Sequence, residues 1–140
     1  MNWLRNSQVF LKSYLDKMEV KAMEIVQEVW KDIKGYPDYQ ISNMGRIWSK
    51  YRQRYKATCK NNKGYEQVNL IAINGKWKKE LVHRLVALAF VENPDGKPEV
   101  NHINHIRDDN RAENLEWVTK SENNTLGRKQ HYKWHKNADD

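Results

Sequence analysis

Turn-forming residues recur at short intervals between residues 35 and 75, and they limit what this part of the chain can build. Gly35-Tyr36-Pro37-Asp38, Asn43-Met44-Gly45, Asn61-Asn62-Lys63-Gly64 and Asn74-Gly75 all carry residues suited to reversing the chain. The runs between them fit strands better than helices. Candidate strands are 39–42, 46–49, 65–73 and 76–79. Asn74-Gly75 between two such runs predicts a two-residue hairpin. Residues 28–80 therefore read as a small, twisted antiparallel sheet.

Helical patterns flank this region. Residues 1–27 contain no Pro or Gly and repeat Val9, Phe10, Leu11, Tyr14, Leu15, Met18, Met23, Ile25 and Val26 at roughly helical spacing. This predicts an amphipathic helix that packs on the body or self-associates. Both charge signs are mixed along it, which argues against lipid binding. A second helix is expected over 81–91, where Leu81, Val82, Leu85, Val86, Leu88, Ala89 and Phe90 leave few polar faces and demand burial. Asn93-Pro94-Asp95-Gly96-Lys97-Pro98 ends it. Short strands at 99–103 and 115–118 enclose a polar loop. Thr119 and Glu122 stand at capping-box spacing, so a helix should begin near Lys120 with Asn123 in its first turn. The tail from 128 to 140 is basic, aromatic and polar, and is expected to be partly disordered. The fold class is α+β.

A chain of 140 residues, 39% of them hydrophobic, can hold one domain or two small modules around a modest core. Six Trp and seven Tyr carry much of the apolar area. A net charge of +7 favours a polyanion, most simply nucleic acid, although a solvated lysine-rich surface gives the same number. Cys59 is the lone cysteine, which excludes an intramolecular disulfide and a cysteine-paired zinc knuckle. It fits a reducing, intracellular setting. No segment has the length and apolarity of a membrane span, and the N-terminus lacks signal-peptide character, so a non-secreted, cytoplasmic protein is expected.

The chemistry concentrates after residue 100. Val100-Asn101-His102-Ile103 precedes Asn110, Asn114-Leu115-Glu116-Trp117 and Ser121-Glu122-Asn123. A neutral imidazole can take a proton from water near pH 7. Amide oxygens beside it suit a hard cation. From spacing alone, His102 reads equally as a general base or as a buried histidine bonded to a backbone carbonyl.

The series His83-Arg84-Leu85-Val86-Ala87, Asn93-Pro94, Val100-Asn101-His102-Ile103, Asp109-Asn110-Arg111, Glu113-Asn114-Leu115-Glu116-Trp117-Val118-Thr119 and Ser121-Glu122-Asn123 resembles the HNH endonucleases. The likeness is to the phage and intron-encoded homing type, with its ββα-metal fold. Upstream, Trp30-Lys31-Asp32-Ile33, Gly35-Tyr36, Tyr39-Gln40-Ile41-Ser42-Asn43 and Gly45-Arg46-Ile47 resemble the small β module that often precedes that nuclease domain. The resemblance implies a DNA-contact β module (28–80) and an HNH domain (81–127); the N-terminal helix (1–27) and the basic tail (128–140) lie outside it. It implies a metal-dependent DNA endonuclease of phage or mobile-element origin acting on double-stranded DNA. His102 would be the general base, and Asn101 and Asn123 would hold one Mg²⁺ or Mn²⁺. That requires room for an ion between His102 and the start of the last helix. One such site nicks; a double-strand cut would need a homodimer or sequential nicks.

Departures from the family's pattern qualify this. Many relatives carry Asp where this chain has Asn101, and a neutral amide binds Mg²⁺ less well. Many read His-Ile-Asp-Gly where this chain has His102-Ile103-Asn104-His105, which predicts a different loop path. The rival reading is a DNA-binding module whose nuclease site has decayed. Asn110 and Asn114 are expected to brace the loop through side-chain-to-backbone hydrogen bonds and keep His102 aimed. Asp108 and Asp109 read as loop caps, His105 as an exposed loop residue and His83 as a satisfied structural histidine.

For DNA contact the candidates are Arg52, Arg54, Lys56, Lys60, Lys78 and Arg84, interleaved with Tyr51, Tyr55, Tyr65 and Trp77. Lysines snorkelling over an exposed sheet face give the same pattern. Arg84 serves either a phosphate or the fold. Arg128, Lys129, Lys133 and Lys136 form a second basic group.

Overall fold

The computed structural model describes residues 27–138, with side chains as far as Lys129. The helix expected over 1–27 lies outside them, apart from Gln27, which is not helical. Strands β1 (Trp30–Ile33), β2 (Tyr36–Ser42), β3 (Ile47–Ser49) and β4 (Arg54–Tyr55) form a four-stranded antiparallel sheet in sequence order. Strands β5 (Cys59–Lys60), β6 (Glu66–Ile71) and β7 (Trp77–Leu81) form a separate antiparallel sheet of three. Helix α1 (Val82–Phe90) follows directly. A hairpin of β8 (Glu99–His102) and β9 (Leu115–Val118) then leads into α2 (Lys120–Ala138).

The single sheet expected for residues 28–80 is thus two. Residues 56–58 have no regular structure and break the ladder between β4 and β5. The sheets are joined by other bonds. The Ile71 N–H donates to the Tyr39 hydroxyl at 3.3 Å, and the Ile73 N–H donates to the Gly35 carbonyl at 3.0 Å. The Tyr36 hydroxyl donates to Glu80, and burial together with that carboxylate pushes its pKa up to about 12.

The β6–β7 hairpin forms where expected, but with a three-residue turn. Ala72 pairs with Lys76, and the Gly75 N–H donates to the Ala72 carbonyl at 2.8 Å. Gly75 takes φ +78°, which closes a type I turn with a bulge rather than a two-residue turn. Helix α2 continues through the basic tail as far as Ala138. Its start has the reciprocal cap: Thr119 N–H to Glu122 at 2.9 Å and Glu122 N–H to Thr119 Oγ1 at 3.1 Å. Beyond the cap no Pro interrupts the helix, which runs through Gly127.

One core serves every element around α1. Ile33, Tyr36, Tyr39, Ile41 and Ile47 enter from the first sheet and Val68, Leu70 and Ala72 from the second. Val82, Leu85, Val86 and Ala87 come from α1, and Val100 and Leu115 from the hairpin. Strand alternation puts these residues inside: in β6, Val68 and Leu70 are buried while Asn69 and Ile71 face solvent. Leu88 is the exception on α1, exposed despite its apolar side chain.

The turn at 42–46 ties the first sheet to the loop after β8. The Ala112 N–H donates to the Asn43 carbonyl at 2.8 Å. Gly45 has φ +87°, and a Cβ there would lie 3.1 Å from Asn110 Cβ. Gly45→Ala should therefore lower stability by about 1–3 kcal/mol, combining a left-handed backbone penalty with a forced shift of Asn110. Gly35→Ala, at φ +86° with nothing within 4 Å, carries the backbone penalty alone. Urea denaturation of the pair should show the larger loss at 45; equal losses would mean that the contact with Asn110 does not matter.

Candidate active site

Strand β8 alternates, so Val100 and His102 face the core while Glu99 and Asn101 face the other way. His102 is only 4% exposed, yet it borders a cavity of about 110 Å³ shared with Asn101 and Asn123. Tyr65, His105, Arg107 and Gly127 complete most of its wall. Asn123 arrives from the first turn of α2, anchored by its N–H to the Thr119 carbonyl at 2.9 Å. The structure thus brings His102, Asn101 and Asn123 around one space.

The imidazole is held from three sides. Tyr65 stacks on it with centroids 5.9 Å apart, and His83 lies against it at 4.9 Å. The third contact is a 2.8 Å hydrogen bond between His102 Nε2 and Asn110 Oδ1. Asn110 cannot turn its amide round freely, because its Nδ2 donates to Glu66 at 3.2 Å and a carboxylate only accepts. Oδ1 therefore faces the ring, and Nε2 must carry the proton in the neutral state. Nδ1 is left as the basic nitrogen.

Asn110 thus acts on the ring itself, not through the backbone contacts expected for it. Asn114 does hold the loop. Its Oδ1 accepts the Asn104 N–H at 3.0 Å, and its Nδ2 donates to the Asp109 carbonyl and to Asn104 Oδ1, both at 2.9 Å. The loop departs from expectation at His105, which keeps a left-handed φ of +63° without glycine. Its N–H closes a turn onto the His102 carbonyl at 3.0 Å, so the tight path survives at a backbone cost of about 1–2 kcal/mol. His105 is exposed, as expected, and reaches the cavity rim.

Asp108 and Asp109, read as loop caps, also pair with basic side chains. Asp109 forms a paired contact with Arg111, both bonds 2.8 Å, which with Asn104 holds its carboxyl down to about pKa 2. Asp108 pairs with Lys60 at 2.9 Å. His83, expected to be satisfied, is not: its Nδ1 is buried without a hydrogen-bond partner among the described residues. Burial, then the neighbouring His102 and Arg84, push its pKa down from 6.5 to about 4.

The two Asn side chains offer hard oxygens. Asn101 Nδ2 donates to Glu116 Oε1 at 2.9 Å, and Asn123 Nδ2 donates to Glu99 Oε2 at 2.6 Å. Each amide nitrogen is thereby occupied, and no described residue donates to either Oδ1. No cluster of three His, Cys, Asp or Glu capable of holding a metal occurs among the described residues. A divalent ion here would rest on amide oxygens, a donor set that suits Mg²⁺ or Mn²⁺.

The basic candidates scatter more widely. Arg52, Arg54 and Lys78 are exposed, and Lys56 lies over the Trp77 ring at 5.3 Å. Lys60 is exposed but paired with Asp108. Arg84 donates to the Pro98 carbonyl at 2.9 Å beside Trp117. Sequence reasoning missed Arg107, which borders the cavity and lies 5.1 Å over Tyr65. It also missed Glu66, Glu99 and Glu116. Their only sequence signal was alternation along β6, β8 and β9.

Known proteins resemble this chain in both sequence and fold. Residues 28–71 match the NUMOD4 motif and residues 80–125 match the HNH endonuclease family. Residues 80–125 thus belong to the HNH endonuclease family. An uncharacterized HNH endonuclease of Acanthamoeba polyphaga mimivirus is 46% identical over 69% of this chain and 25% of its own length. DNA endonuclease I-HmuI of Bacillus phage SP01 is 41% identical over 67% of this chain and 54% of its own length. A solved structure of I-HmuI, described as that of an HNH homing endonuclease binding and cleaving DNA, superposes with a TM-score of 0.65 at 38% identity. It covers 71% of this chain, which in turn spans 59% of it. This chain thus spans between a quarter and about three fifths of these relatives. No helix among the described residues is long and apolar enough to cross a membrane.

Two measurements follow. ¹⁵N-edited NMR of the His102 ring should show the Nε2–H tautomer, and Asn110→Leu should convert it to a mixture; a dominant Nδ1–H form in the wild type would overturn the assignment. The second concerns His83, which resists protonation in the fold until about pH 4 but accepts a proton near 6.5 when unfolded. Because the unfolded state then binds a proton that the fold refuses, stability falls as pH drops from about 6.5 toward 4, by on the order of 3 kcal/mol at most. Melting curves of His83→Phe should be flatter than wild type across that window; parallel pH dependence would contradict it.

Proposed function

We propose that this chain is a metal-dependent endonuclease that hydrolyses phosphodiester bonds of double-stranded DNA, one strand at a time. The observation that carries the reading is the convergence of His102, Asn101 and Asn123 on one polar cavity, with the imidazole oriented by Asn110. In this reading residues 28–80 contact DNA, residues 81–127 carry the chemistry, and 128–140 add basic charge.

His102 is the general base. Its free Nδ1 takes a proton from a water as that water's oxygen attacks phosphorus, and the bond to the departing 3′ oxygen breaks in line. Asn110 stabilises the imidazolium that forms by accepting its Nε2–H, with Glu66 behind it. Asn101 and Asn123 would hold one Mg²⁺ or Mn²⁺. When bound, that ion supplies Lewis-acid stabilisation of charge on the phosphate and the leaving oxygen. Arg107 and His105 at the rim present positive or polar groups to the incoming backbone.

Arg52, Arg54, Lys56 and Lys78 neutralise phosphates on the approach, and Lys60 does so by exchanging Asp108 for phosphate. Arg84, tied to Pro98, takes a bracing role instead. The overall charge of +7 makes binding salt-dependent. The work takes place in the host cytoplasm of a phage or mobile element. Cutting both strands calls for a second copy or a second event.

Supercoiled plasmid carrying genomic target DNA tests this. Wild type should nick it with Mg²⁺ or Mn²⁺ and stop in EDTA, and His102→Ala should be slower by roughly 10²–10⁴-fold. DNA retention in gel shifts without cleavage, by wild type and variant alike, would instead identify a binding module with a decayed site.

A further inference from the structure

Asn101 and Asn123 are neutral, whereas a divalent ion is best held by at least one anionic oxygen. The charge is present close by. Register pairs Asn101 with Glu116 across the hairpin, and strand alternation puts Glu99 on the same face as Asn101. Asn101 Nδ2 donates to Glu116 at 2.9 Å, and Asn123 Nδ2 donates to Glu99 at 2.6 Å. Neither carboxylate is in a salt bridge among the described residues, although the chain carries 25 Lys and Arg.

We propose that Glu99 and Glu116 are positioning residues of the ion site, each fixing one Asn amide so that its Oδ1 faces the cavity and supplying the negative charge the two amides lack. The idea rests on Asn101 and Asn123 being the ion's ligands. A carboxylate has only acceptors, so an amide bonded to it through Nδ2 cannot present that nitrogen to a cation. The same bond polarises the amide and leaves more negative charge on Oδ1. Two separate strand positions thus make each Asn a better ligand than a lone amide. Partners of this kind commonly affect metal affinity about as strongly as weak ligands do.

The test uses Mn²⁺ alone as probe on the full chain, read by paramagnetic broadening of the His102 and Gly127 amide signals. Glu116→Gln and Glu99→Gln keep an acceptor but remove the charge, and each should weaken Mn²⁺ binding about tenfold or more without changing the melting temperature much. Asn101→Asp combined with Glu116→Gln exchanges acid and amide, and should restore binding. If both Gln variants bind like wild type while Asn101→Ala loses Mn²⁺, the positioning role is overturned and the ligand assignment stands. If Asn101→Ala and Asn123→Ala also bind like wild type, the ligand assignment itself falls.

Discussion

A single 2.8 Å hydrogen bond, His102 Nε2 to Asn110 Oδ1, organises the centre of this protein. It decides which nitrogen of the ring carries the proton, and so which nitrogen is free to act as a base. It depends on elements far apart in the chain. Glu66 on β6 turns the Asn110 amide the right way, Tyr65 and His83 pack the ring in place, and Gly45 leaves the space Asn110 occupies. A buried polar pair is strong only when each member is satisfied. Here the chain of acceptors ends in a carboxylate, which completes it.

This explains why the NUMOD4 and HNH regions share one core. The helix α1 lies at their junction, with apolar residues of both sheets and the β8–β9 hairpin packed around it. The first sheet supplies the turn that touches Asn110, and the second supplies Glu66 and Tyr65. Losing either sheet would therefore disturb the histidine as well as any surface used for DNA. Among the described residues one buried side-chain atom remains unsatisfied, His83 Nδ1 beside the His102 ring. That unfavourable burial keeps a second imidazole uncharged next to the first, which spares His102 a repulsive neighbour.

Charge is distributed unevenly across the molecule. Among the described residues most Lys and Arg are exposed, while the proposed ion site is formed by amides with carboxylates behind them. The arrangement keeps strong negative charge near the cavity without spending it on direct contact. Some basic residues already have partners: Lys60 pairs with Asp108, and Arg111 with Asp109 and Glu113. Exposed pairs of this sort contribute little to stability and exchange readily for phosphate. Arg84 is different, because its guanidinium braces Pro98 and Trp117.

Local signals in the sequence were enough for the elements that depend on local physics. The turns at Gly35, Gly45, Gly64 and Gly75, the capped start of α2 at Thr119, the buried α1 and the strand at 115–118 all follow from periodicity, capping and left-handed glycines. The HNH pattern named His102, Asn101 and Asn123, and they do meet at one cavity. Tertiary structure decided the rest. Whether 28–80 makes one sheet or two depended on where the ladder broke, and the tail's helix depended on nothing ending it. The role of Asn110, the environment of His83 and the part played by Glu66 depend on residues 8 to 44 positions apart, from the His102–Asn110 bond at 8 to the Asn110–Glu66 bond at 44. A sequence lists which side chains can donate and accept; only the fold decides which of them are within 3 Å of each other, and that distance sets the proton on His102.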